Sequence, residues 1–343
     1  MNTLRKRFRC FYLILFAVIL TISMLTACGN NNTEQTPEET DTTEESDSII
    51  TVGFAQSGSG ATWNAANIDS IRQSCSAENG FNLILENAND SFDNQIASIR
   101  SFIEQDVDVI GFSPLVADGW DEVLQEAKAA GIPVILVDRT LNTADDTLYT
   151  CWVGSDFLLE GYKAADWIIE YMKTNYTGTE KIKVALFQGT IGASAEVGRT
   201  QGVEEMLNNA GNYEFVYKAS GDFKYDGGVE NMENILAQNL DIDILISEND
   251  DMTLGAIDVM ERNGIRPGKD IIIVSFDGVR AAFEAMIEGK INCTMECNPL
   301  SGKPFVDAIR KVLNGDPVDK RVYVQEEIFP ADTAADYIDK RKY

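Results

Sequence analysis

The 343-residue chain contains no histidine. This absence excludes a serine–histidine–aspartate triad, histidine-based proton transfer and a zinc ion held by imidazole ligands. Basic residues are also scarce, since 28 Lys and Arg stand against 55 Asp and Glu and give a formal net charge of −27. With so few cations available to neutralise phosphates, nucleic acid is excluded as a partner. We predict no metal site and no cofactor.

The six cysteines include no pair with Cys-x-x-Cys spacing. Two of the six lie within the first 28 residues. Cys293 and Cys297 are four positions apart in a predicted strand, a separation of about 13 Å that is too long for a disulfide bond. We therefore predict that these two, together with Cys75 and Cys151, are small buried side chains.

A single strongly apolar stretch occurs, over residues 11–25. Four cations precede it and the string Leu25-Thr26-Ala27-Cys28 closes it, an order that resembles the signal peptide of bacterial lipoproteins. We predict that residues 1–27 are removed and that Cys28 becomes the diacylated N-terminus. Two acyl chains hold a protein stably at a membrane. The alternative is a transmembrane helix, for which the stretch is short because spanning requires about 20 apolar residues.

Residues 28–48 form a predicted disordered acidic tether. Beyond Cys28 the segment has no aliphatic or aromatic side chain, so it cannot bury enough apolar surface to offset the entropy lost on ordering. Removal of residues 1–27 takes away four of the 28 cations and none of the 55 acids, which leaves a net charge of −31. A surface whose net charge is strongly negative favours solubility outside the cell. We predict an extracytoplasmic protein that contacts the cell membrane only through its lipid.

From residue 49 onward, short apolar runs alternate with amphipathic segments of helical length. This alternation is typical of parallel sheets with right-handed crossovers, and the Val- and Ile-rich runs indicate burial on both sheet faces. The predicted strands cover residues 50–55, 81–86, 107–112, 134–138, 148–153, 183–188, 214–219, 242–247 and 271–276. The predicted helices include residues 95–105, 120–130, 160–173, 254–263 and 279–288.

The pattern divides into two α/β halves around an irregular stretch at residues 140–147. Two open α/β sheets bind ligands in a crevice beyond the carboxyl ends of their strands, so residues that follow strands are the candidates for function. Aromatic, charged and amide side chains occupy many of those positions. The candidates are Ser57, Trp63, Asn64, Ser113, Asp138, Arg139, Arg199, Phe223, Asn249 and Asp277.

These residue types suit an uncharged sugar. Aspartate accepts hydrogen bonds from neighbouring hydroxyls, arginine donates through a planar fork, and an aromatic ring covers the C–H face. Trp63 could equally be packed in a core. The competing interpretation is a glycosidase pair of carboxylates, one of which needs a raised pKa. The adjacency of Asp138 and Arg139 favours ionised, binding carboxylates instead.

Residues 51–329 resemble the ribose/galactose type of substrate-binding protein that serves ABC sugar importers. The strings that carry the resemblance include Gly131-Ile132-Pro133-Val134, Val137-Asp138-Arg139, Gly154-Ser155-Asp156, Asn249-Asp250-Asp251 and Ser275-Phe276-Asp277-Gly278. Within that family the chain is most similar to the galactofuranose-binding branch. The strings for that branch are Gly119-Trp120-Asp121 and the ten residues 186–195.

The resemblance implies the type I periplasmic-binding-protein fold, with two doubly wound parallel-sheet lobes joined by a three-strand hinge. The first lobe is expected to comprise residues 49–154 plus 297–324. The second is expected to comprise residues 155–296 plus 325–343. The hinge is expected near residues 153–155, 295–298 and 323–326.

The resemblance also implies roles for the candidate residues. Trp63 would stack on the sugar ring, and Asp138 and Arg139 would bind hydroxyls from the first lobe. The contacts from the second lobe would come from Arg199, Phe223, Asn249, Asp277 and Glu296. Three places depart from the branch. The branch tends to have Arg where this chain has Asn64 and Asp where it has Gly198, and the string Met295-Glu296-Cys297 varies its usual strand. These departures bear on the identity of the sugar.

We therefore predict a monomeric, non-enzymatic solute-binding lipoprotein that takes up a monosaccharide and delivers it to the permease subunits of an ABC importer. One alternative is a sensor whose closed form is detected by a membrane kinase or chemoreceptor. A sugar-processing enzyme and the effector core of a LacI-type repressor are further alternatives. Replacement of Asp138 or Arg199 by Ala is expected to abolish sugar binding without unfolding the protein.

Overall fold

The computed structural model describes residues 49–58, 60–178 and 180–343. These residues form two α/β lobes, each built on one six-stranded sheet. The predicted fold class is therefore confirmed. The predicted signal peptide at 1–27, Cys28 and the tether at 28–48 lie outside the described residues.

The sheet of the first lobe has six strands. They are β1 (Ile50–Gln56), β2 (Phe81–Asn87), β3 (Val109–Phe112), β4 (Val134–Val137), β5 (Cys151–Gly154) and β11 (Arg321–Tyr323). The sheet is parallel throughout, and its strand order is β2-β1-β3-β4-β5-β11. Strands β3, β4 and β5 are buried along their whole length because helices cover both faces of the sheet.

The sheet of the second lobe also has six strands. They are β6 (Ile182–Gln188), β7 (Tyr213–Ser220), β8 (Ile244–Ser247), β9 (Ile272–Asp277), β10 (Cys293–Glu296) and β12 (Ile328–Pro330). Its strand order is β7-β6-β8-β9-β10-β12, and it differs from the first sheet at one edge, where β12 is antiparallel to β10. Because the order reverses direction between β6 and β8, the carboxyl ends around β6, β8 and β9 open a crevice, as they do around β1, β3 and β4 in the first lobe.

The helices connect the strands and cover the sheets. They are α1 (Thr62–Ser74), α2 (Phe92–Glu104), α3 (Asp121–Ala130), α4 (Phe157–Asn175), α5 (Ser194–Ala210), α6 (Tyr225–Ala237), α7 (Asp250–Arg262), α8 (Arg280–Ile287), α9 (Gly302–Asn314) and α10 (Ala334–Tyr337). Within the described part of the chain, none of them is both long enough and apolar enough to cross a membrane.

Side-chain caps explain where three helices, α2, α4 and α7, begin earlier than predicted. The Ser91 side chain accepts a hydrogen bond from the Asn94 amide at 3.3 Å, so α2 starts three residues before the predicted residue 95. Asp156 accepts from the Leu159 amide at 3.0 Å, so α4 starts at residue 157 rather than 160. Such caps satisfy amides that have no partner inside the helix, and an apolar-periodicity argument does not register them.

The chain passes between the lobes three times. The crossovers join β5 to α4, β10 to α9, and β11 to β12. Helix α9 belongs to the first lobe, where Phe305 packs edge-on against Phe54 with ring centroids 5.5 Å apart. The crossovers therefore lie at residues 154–157, 296–302 and 323–328.

The four cysteines outside the N-terminal segment are all buried, and none of them forms a disulfide bond. The prediction for these residues is confirmed. Burial raises the pKa of Cys75 to about 12 and that of Cys151 to about 11. Burial also raises the pKa of Cys293 and Cys297 well above the ordinary thiol value. These side chains therefore serve as small packing groups rather than as nucleophiles.

Candidate functional site

A cavity lies between the lobes, beyond the carboxyl ends of the strands. Both lobes contribute to its lining, so a ligand in it would be enclosed from two sides. Eight of the predicted site residues line this cavity. They are Trp63, Asn64, Asp138, Arg139, Arg199, Phe223, Asn249 and Asp277.

Trp63 lies in the first turn of α1 and is fixed across the cleft. Its indole N–H donates to the Cys297 carbonyl at 2.6 Å, and the side chain is only 7% exposed. Cys297 belongs to the second crossover, so this bond fastens the first lobe to the hinge. Trp63 was predicted either to face a ligand or to pack in a core. The two interpretations are compatible, because the ring packs among buried residues of the second lobe and also lines the cavity.

Asp138 follows β4 directly and has a left-handed backbone, with φ of 65°. This conformation is uncommon outside glycine, and Asp is one of the residues that adopt it at functional sites. Its carboxylate accepts from the Ser113 hydroxyl at 3.2 Å and lies 3.8 Å from Arg139 Nε. Burial raises the pKa of Asp138, and Arg139 and Arg199 oppose the rise.

Arg139 connects the two lobes through an aromatic contact. Its Nη1 donates to the Leu115 carbonyl at 2.9 Å within the first lobe. The guanidinium also lies over the Phe223 ring of the second lobe, 5.4 Å from the centroid. Phe223 follows β7 in a left-handed turn with φ of 58°. A cation over a ring face in a desolvated cleft contributes to holding the lobes together.

Arg199 is the most enclosed of the charged residues that line the cavity, with 2% of its surface exposed. Its Nε donates to Glu160 Oε2 at 2.7 Å, and its Nη2 lies 3.6 Å from Asp277 Oδ1. The Phe157 and Phe276 rings flank the guanidinium at 5.4 and 5.0 Å. Burial opposes the charge, but Glu160 and Asp277 outweigh it and hold the pKa of Arg199 well above its ordinary value.

Asp277 and Asn249 complete the wall of the second lobe. Asp277 ends β9 with φ of 105°, a strained conformation that turns the chain at the cavity. Burial raises its pKa well above the ordinary value, and Arg199 opposes this rise. Asn249 caps α7 by accepting from the Met252 amide at 3.0 Å and donates to the Phe223 carbonyl at 3.0 Å. Its amide therefore positions Phe223 as well as facing the cavity.

A family model described as a periplasmic binding protein domain matches residues 52–317. The chain belongs to this family. The predicted family membership is confirmed, and the two-lobed structure with a cavity between the lobes agrees with it.

Several known proteins are similar to this chain over most of its length. Galactofuranose-binding protein YtfQ of Escherichia coli (strain K12) is 36% identical over 297 residues, which cover 85% of this chain and 92% of YtfQ. A Mycobacterium smegmatis protein in complex with β-D-fucofuranose has a TM-score of 0.82 at 40% identity, covering 86% and 95% of the two chains. The binding protein of the arabinose ABC transporter from Shewanella sp. ANA-3, bound to α- and β-L-arabinofuranose, has a TM-score of 0.81 at 38% identity, covering 85% and 96%.

Three predicted site residues of this periplasmic binding protein are not among the residues that line the cavity. Ser57 is buried, and its carbonyl accepts from the Asp90 amide at 2.8 Å. Ser113 is buried behind Asp138 and donates to its carboxylate. Ser113 is therefore placed to orient Asp138 rather than to contact a ligand itself.

Glu296 requires a correction, because its carboxylate faces the C-terminal segment and not the cavity. Its Oε1 accepts from Arg341 Nη1 at 2.6 Å and from the Tyr343 hydroxyl at 3.0 Å. Its Oε2 accepts from the Glu327 amide at 3.0 Å. Both oxygens are thus occupied by residues that fold back onto the second lobe. The position of Glu296 at the end of β10 did not reveal this, because the partners lie 31 to 47 residues further along the chain.

Sequence reasoning also missed residues that the structure brings to the site. Phe157, Ala195 and Cys297 line the cavity. Glu160 is buried in the first turn of α4, where it pairs with Arg199. The position of Phe157 directly after the first crossover is a signal that could have identified it. Nothing in the local pattern around Glu160 distinguishes it from an exposed helical glutamate.

A cluster at the hinge combines one residue from each crossover with Glu160. Ser155 Oγ hydrogen-bonds Glu326, and Cys297 Sγ lies 3.5 Å from Ser155 Oγ. Single ligand atoms of Glu160, Cys297 and Glu326 all lie within 4.8 Å of one another, the one such group found among the described residues. Glu160 Oε1 has no hydrogen-bond partner in the part of the chain that the structure describes. A divalent cation here would be repelled by the Arg199 guanidinium beside Glu160, so a proton is the better fit.

We expect Glu326→Gln to change how stability depends on pH. Burial, together with the charge of Glu160, raises the pKa of Glu326 to about 8. The folded protein therefore keeps a proton that the unfolded chain releases above about pH 4.3. This contribution to stability is complete below the unfolded pKa and is lost as the pH rises to about 8.

Glutamine cannot lose a proton, so the variant should gain stability over the unmodified protein progressively between pH 5 and pH 8. Urea unfolding at intervals from pH 5 to pH 9 measures the difference in free energy of unfolding. Glu327→Gln, on the neighbouring exposed residue, is the matched control. A difference that stays constant over this range would show that Glu326 does not titrate there.

Proposed function

We propose that this chain is an extracytoplasmic solute-binding protein that encloses one monosaccharide between its lobes and delivers it to an ABC importer. The observation that carries the proposal is the balance of charge around the cavity. Two aspartates and two arginines, Asp138 and Asp277 with Arg139 and Arg199, line it together with Trp63. Paired charges and an aromatic ring suit a neutral polyhydroxyl ligand, because a charged ligand would leave one sign uncompensated.

The proposed ligand is a sugar in its furanose form. YtfQ is named for galactofuranose, and the two solved relatives hold β-D-fucofuranose and L-arabinofuranose. All three are 36% or more identical to this chain. The candidate contacts retained from the sequence are the eight predicted residues that line the cavity, with Ser113 as a support for Asp138. Asn64 lies where the galactofuranose-binding branch tends to have Arg, and this difference bears on which sugar is accepted.

The structure favours binding over catalysis. A glycosidase needs one carboxylic acid and a second carboxylate free to act as base or nucleophile. Here Asp138 faces Arg139 and Asp277 faces Arg199, so both carboxylates already have a cationic partner. YtfQ and the Shewanella relative are likewise described as binding proteins. We infer a role in capture and release, with no chemical step.

The proposal includes attachment to the cell membrane through lipid on Cys28. The support is the sequence pattern of residues 1–28 and the polar composition of residues 29–48. Membership of the periplasmic binding protein family supports the extracytoplasmic placement. The protein would act as a monomer, with the tether allowing its two-lobed body to reach a permease.

A thermal-shift screen tests the ligand class. D-Galactose, D-fucose and L-arabinose each include furanose forms in solution, whereas D-glucose contains very little. We expect one or more of the first three sugars to raise the melting temperature and D-glucose to leave it unchanged. A ligand at 100 times its dissociation constant adds about 2.7 kcal/mol of stability. Failure of all four sugars to shift the transition would contradict the proposed ligand, and calorimetry would then confirm the absence of binding.

A further inference from the structure

Helix α1, which carries Trp63 and Asn64 into the cavity, begins without a cap from its own chain segment. Its N-cap residue is Ala61, which provides no side-chain hydrogen bond, and its first turn has no acidic residue. By contrast, α2, α4 and α7 are capped by Ser91, Asp156 and Asn249. An uncapped helix start leaves amide donors without protein partners and the positive end of the helix dipole uncompensated.

The missing cap is supplied from the opposite lobe. Asp251, in the first turn of α7, accepts from the Thr62 amide through Oδ2 at 2.7 Å and from the Thr62 hydroxyl through Oδ1 at 2.7 Å. The two residues are 189 positions apart and belong to different lobes. Both oxygens of one carboxylate therefore engage the first residue of α1. Charge-assisted bonds of this kind are stronger than bonds between neutral groups.

Other polar contacts cross the cleft, but they differ in kind. The Ala117 amide donates to the Gly192 carbonyl at 3.0 Å, and the Thr140 amide donates to Ser194 Oγ at 2.8 Å. These two are single bonds between neutral groups. An ion pair also crosses the cleft, with Lys224 Nζ 3.6 Å from Asp90 Oδ2, but it joins two side chains that are 48% and 46% exposed. Among these contacts across the cleft, only the one made by Asp251 combines a charge and two hydrogen bonds with a helix start that has no other cap. It also acts on the residue directly before Trp63.

We propose that Asp251 is a positioning residue that caps α1 only when the lobes are closed, and that it thereby couples lobe closure to the placement of Trp63 against the ligand. This inference rests on the proposed sugar-binding function. When the lobes separate, the Thr62 amide and hydroxyl return to water and the cap is lost. The contact therefore stabilises the closed form relative to the open form, which is the condition for an effect on ligand affinity.

The expected consequence is a change in affinity and in the rate of release. Loss of an N-cap changes an equilibrium by roughly 5- to 10-fold. Asp251→Ala should therefore raise the dissociation constant for the sugar about 5- to 10-fold. Most of the change should come from faster dissociation, because the contact forms after the ligand is enclosed. Asp251→Asn retains one acceptor and should show a smaller increase.

The experiment compares the unmodified protein with Asp251→Ala, Asp251→Asn and the control Asp226→Ala. Asp226 is exposed and lies in the first turn of α6 in the same lobe, so its removal changes charge without removing this cap. Calorimetry gives the dissociation constant for the sugar identified by the thermal-shift screen. Stopped-flow tryptophan fluorescence gives the dissociation rate. The melting temperature of the ligand-free protein is the readout that separates coupling from ordinary stabilisation.

Coupling predicts weaker binding and faster release in Asp251→Ala with an unchanged ligand-free melting temperature. A lower ligand-free melting temperature accompanied by unchanged affinity would assign Asp251 a purely structural role and overturn the proposal. Unchanged affinity and release rate in Asp251→Ala, with normal binding by the unmodified protein, would also overturn it while leaving the proposed function intact. Absence of sugar binding by the unmodified protein would overturn both.

Discussion

Asp138→Asn is expected to weaken sugar binding by about 100-fold or more while leaving the protein folded. Hydrogen bonds to a charged group contribute about 1.5–3 kcal/mol each, and the loss of charge affects every bond that the carboxylate makes to the ligand. Asparagine has nearly the same size as aspartate and tolerates the left-handed backbone at this position, where φ is 65°. It can also still accept from the Ser113 hydroxyl. Isothermal calorimetry measures the affinity, and circular dichroism and the melting temperature report the fold.

Asp106→Asn is the matched control for this change. Asp106 also has a left-handed backbone, with φ of 52°, but it is exposed and is not among the residues that line the cavity. The same substitution there should leave both affinity and stability unchanged. Equal affinity in Asp138→Asn and the control would remove Asp138 from the site and undermine the proposed binding mode.

Arg199→Ala is expected to lower the free energy of unfolding by about 3–5 kcal/mol, because it leaves buried carboxylates without their cation. Glu160 and Asp277 both depend on Arg199 for compensation, and Glu160 is only 2% exposed. This result differs from the expectation based on the sequence, in which the alanine variant would lose binding without unfolding. Urea unfolding of the ligand-free protein measures the effect, since no sugar is needed to observe it.

A double variant separates the effect of breaking the buried Glu160–Arg199 ion pair from the effect of losing side-chain packing. Arg199→Met fills most of the volume of the side chain, and Glu160→Gln removes one of the stranded charges. We expect Glu160→Gln to recover part of the stability lost in Arg199→Met, since a neutral amide costs less to bury than an unpaired carboxylate. Arg262→Ala, at a side chain that is 61% exposed, should change stability by less than about 0.5 kcal/mol. Additive effects of the two substitutions at the pair would show that Glu160 and Arg199 do not stabilise each other.

The Asp138→Asn and Arg199→Ala variants together distinguish two kinds of site residue. Asp138 is held by its neighbours through a hydroxyl and a guanidinium that can remain in place without its charge. Arg199 is a centre on which Glu160, Asp277 and the Glu248 carbonyl all converge. A loss of binding at Arg199 would therefore combine a direct contact with a loss of architecture, whereas a loss at Asp138 would report mainly on the ligand.

The sequence alone determined strands β1 to β9 and the polar residues at their carboxyl ends. Asp138, for example, follows a run of apolar residues in β4, and any α/β arrangement places such a residue at the crevice. Asp277 at the end of β9 and Phe223 after β7 are predictable for the same reason. Local periodicity fixes these positions because burial of a strand depends on residues that are neighbours in the chain.

Only the tertiary structure decided which distant residues meet. Glu160 pairs with Arg199, which is 39 positions away in the sequence. Glu296 pairs with Arg341 at a separation of 45 positions, and Asp251 accepts a hydrogen bond from Thr62 at a separation of 189. Each of these carboxylates has the same local signature as a solvated acid on a helix or at the end of a strand. Their roles depend on burial and on the partner that folding brings near, and hydrogen bonds and Coulomb interactions act over a few ångströms in space regardless of separation along the chain.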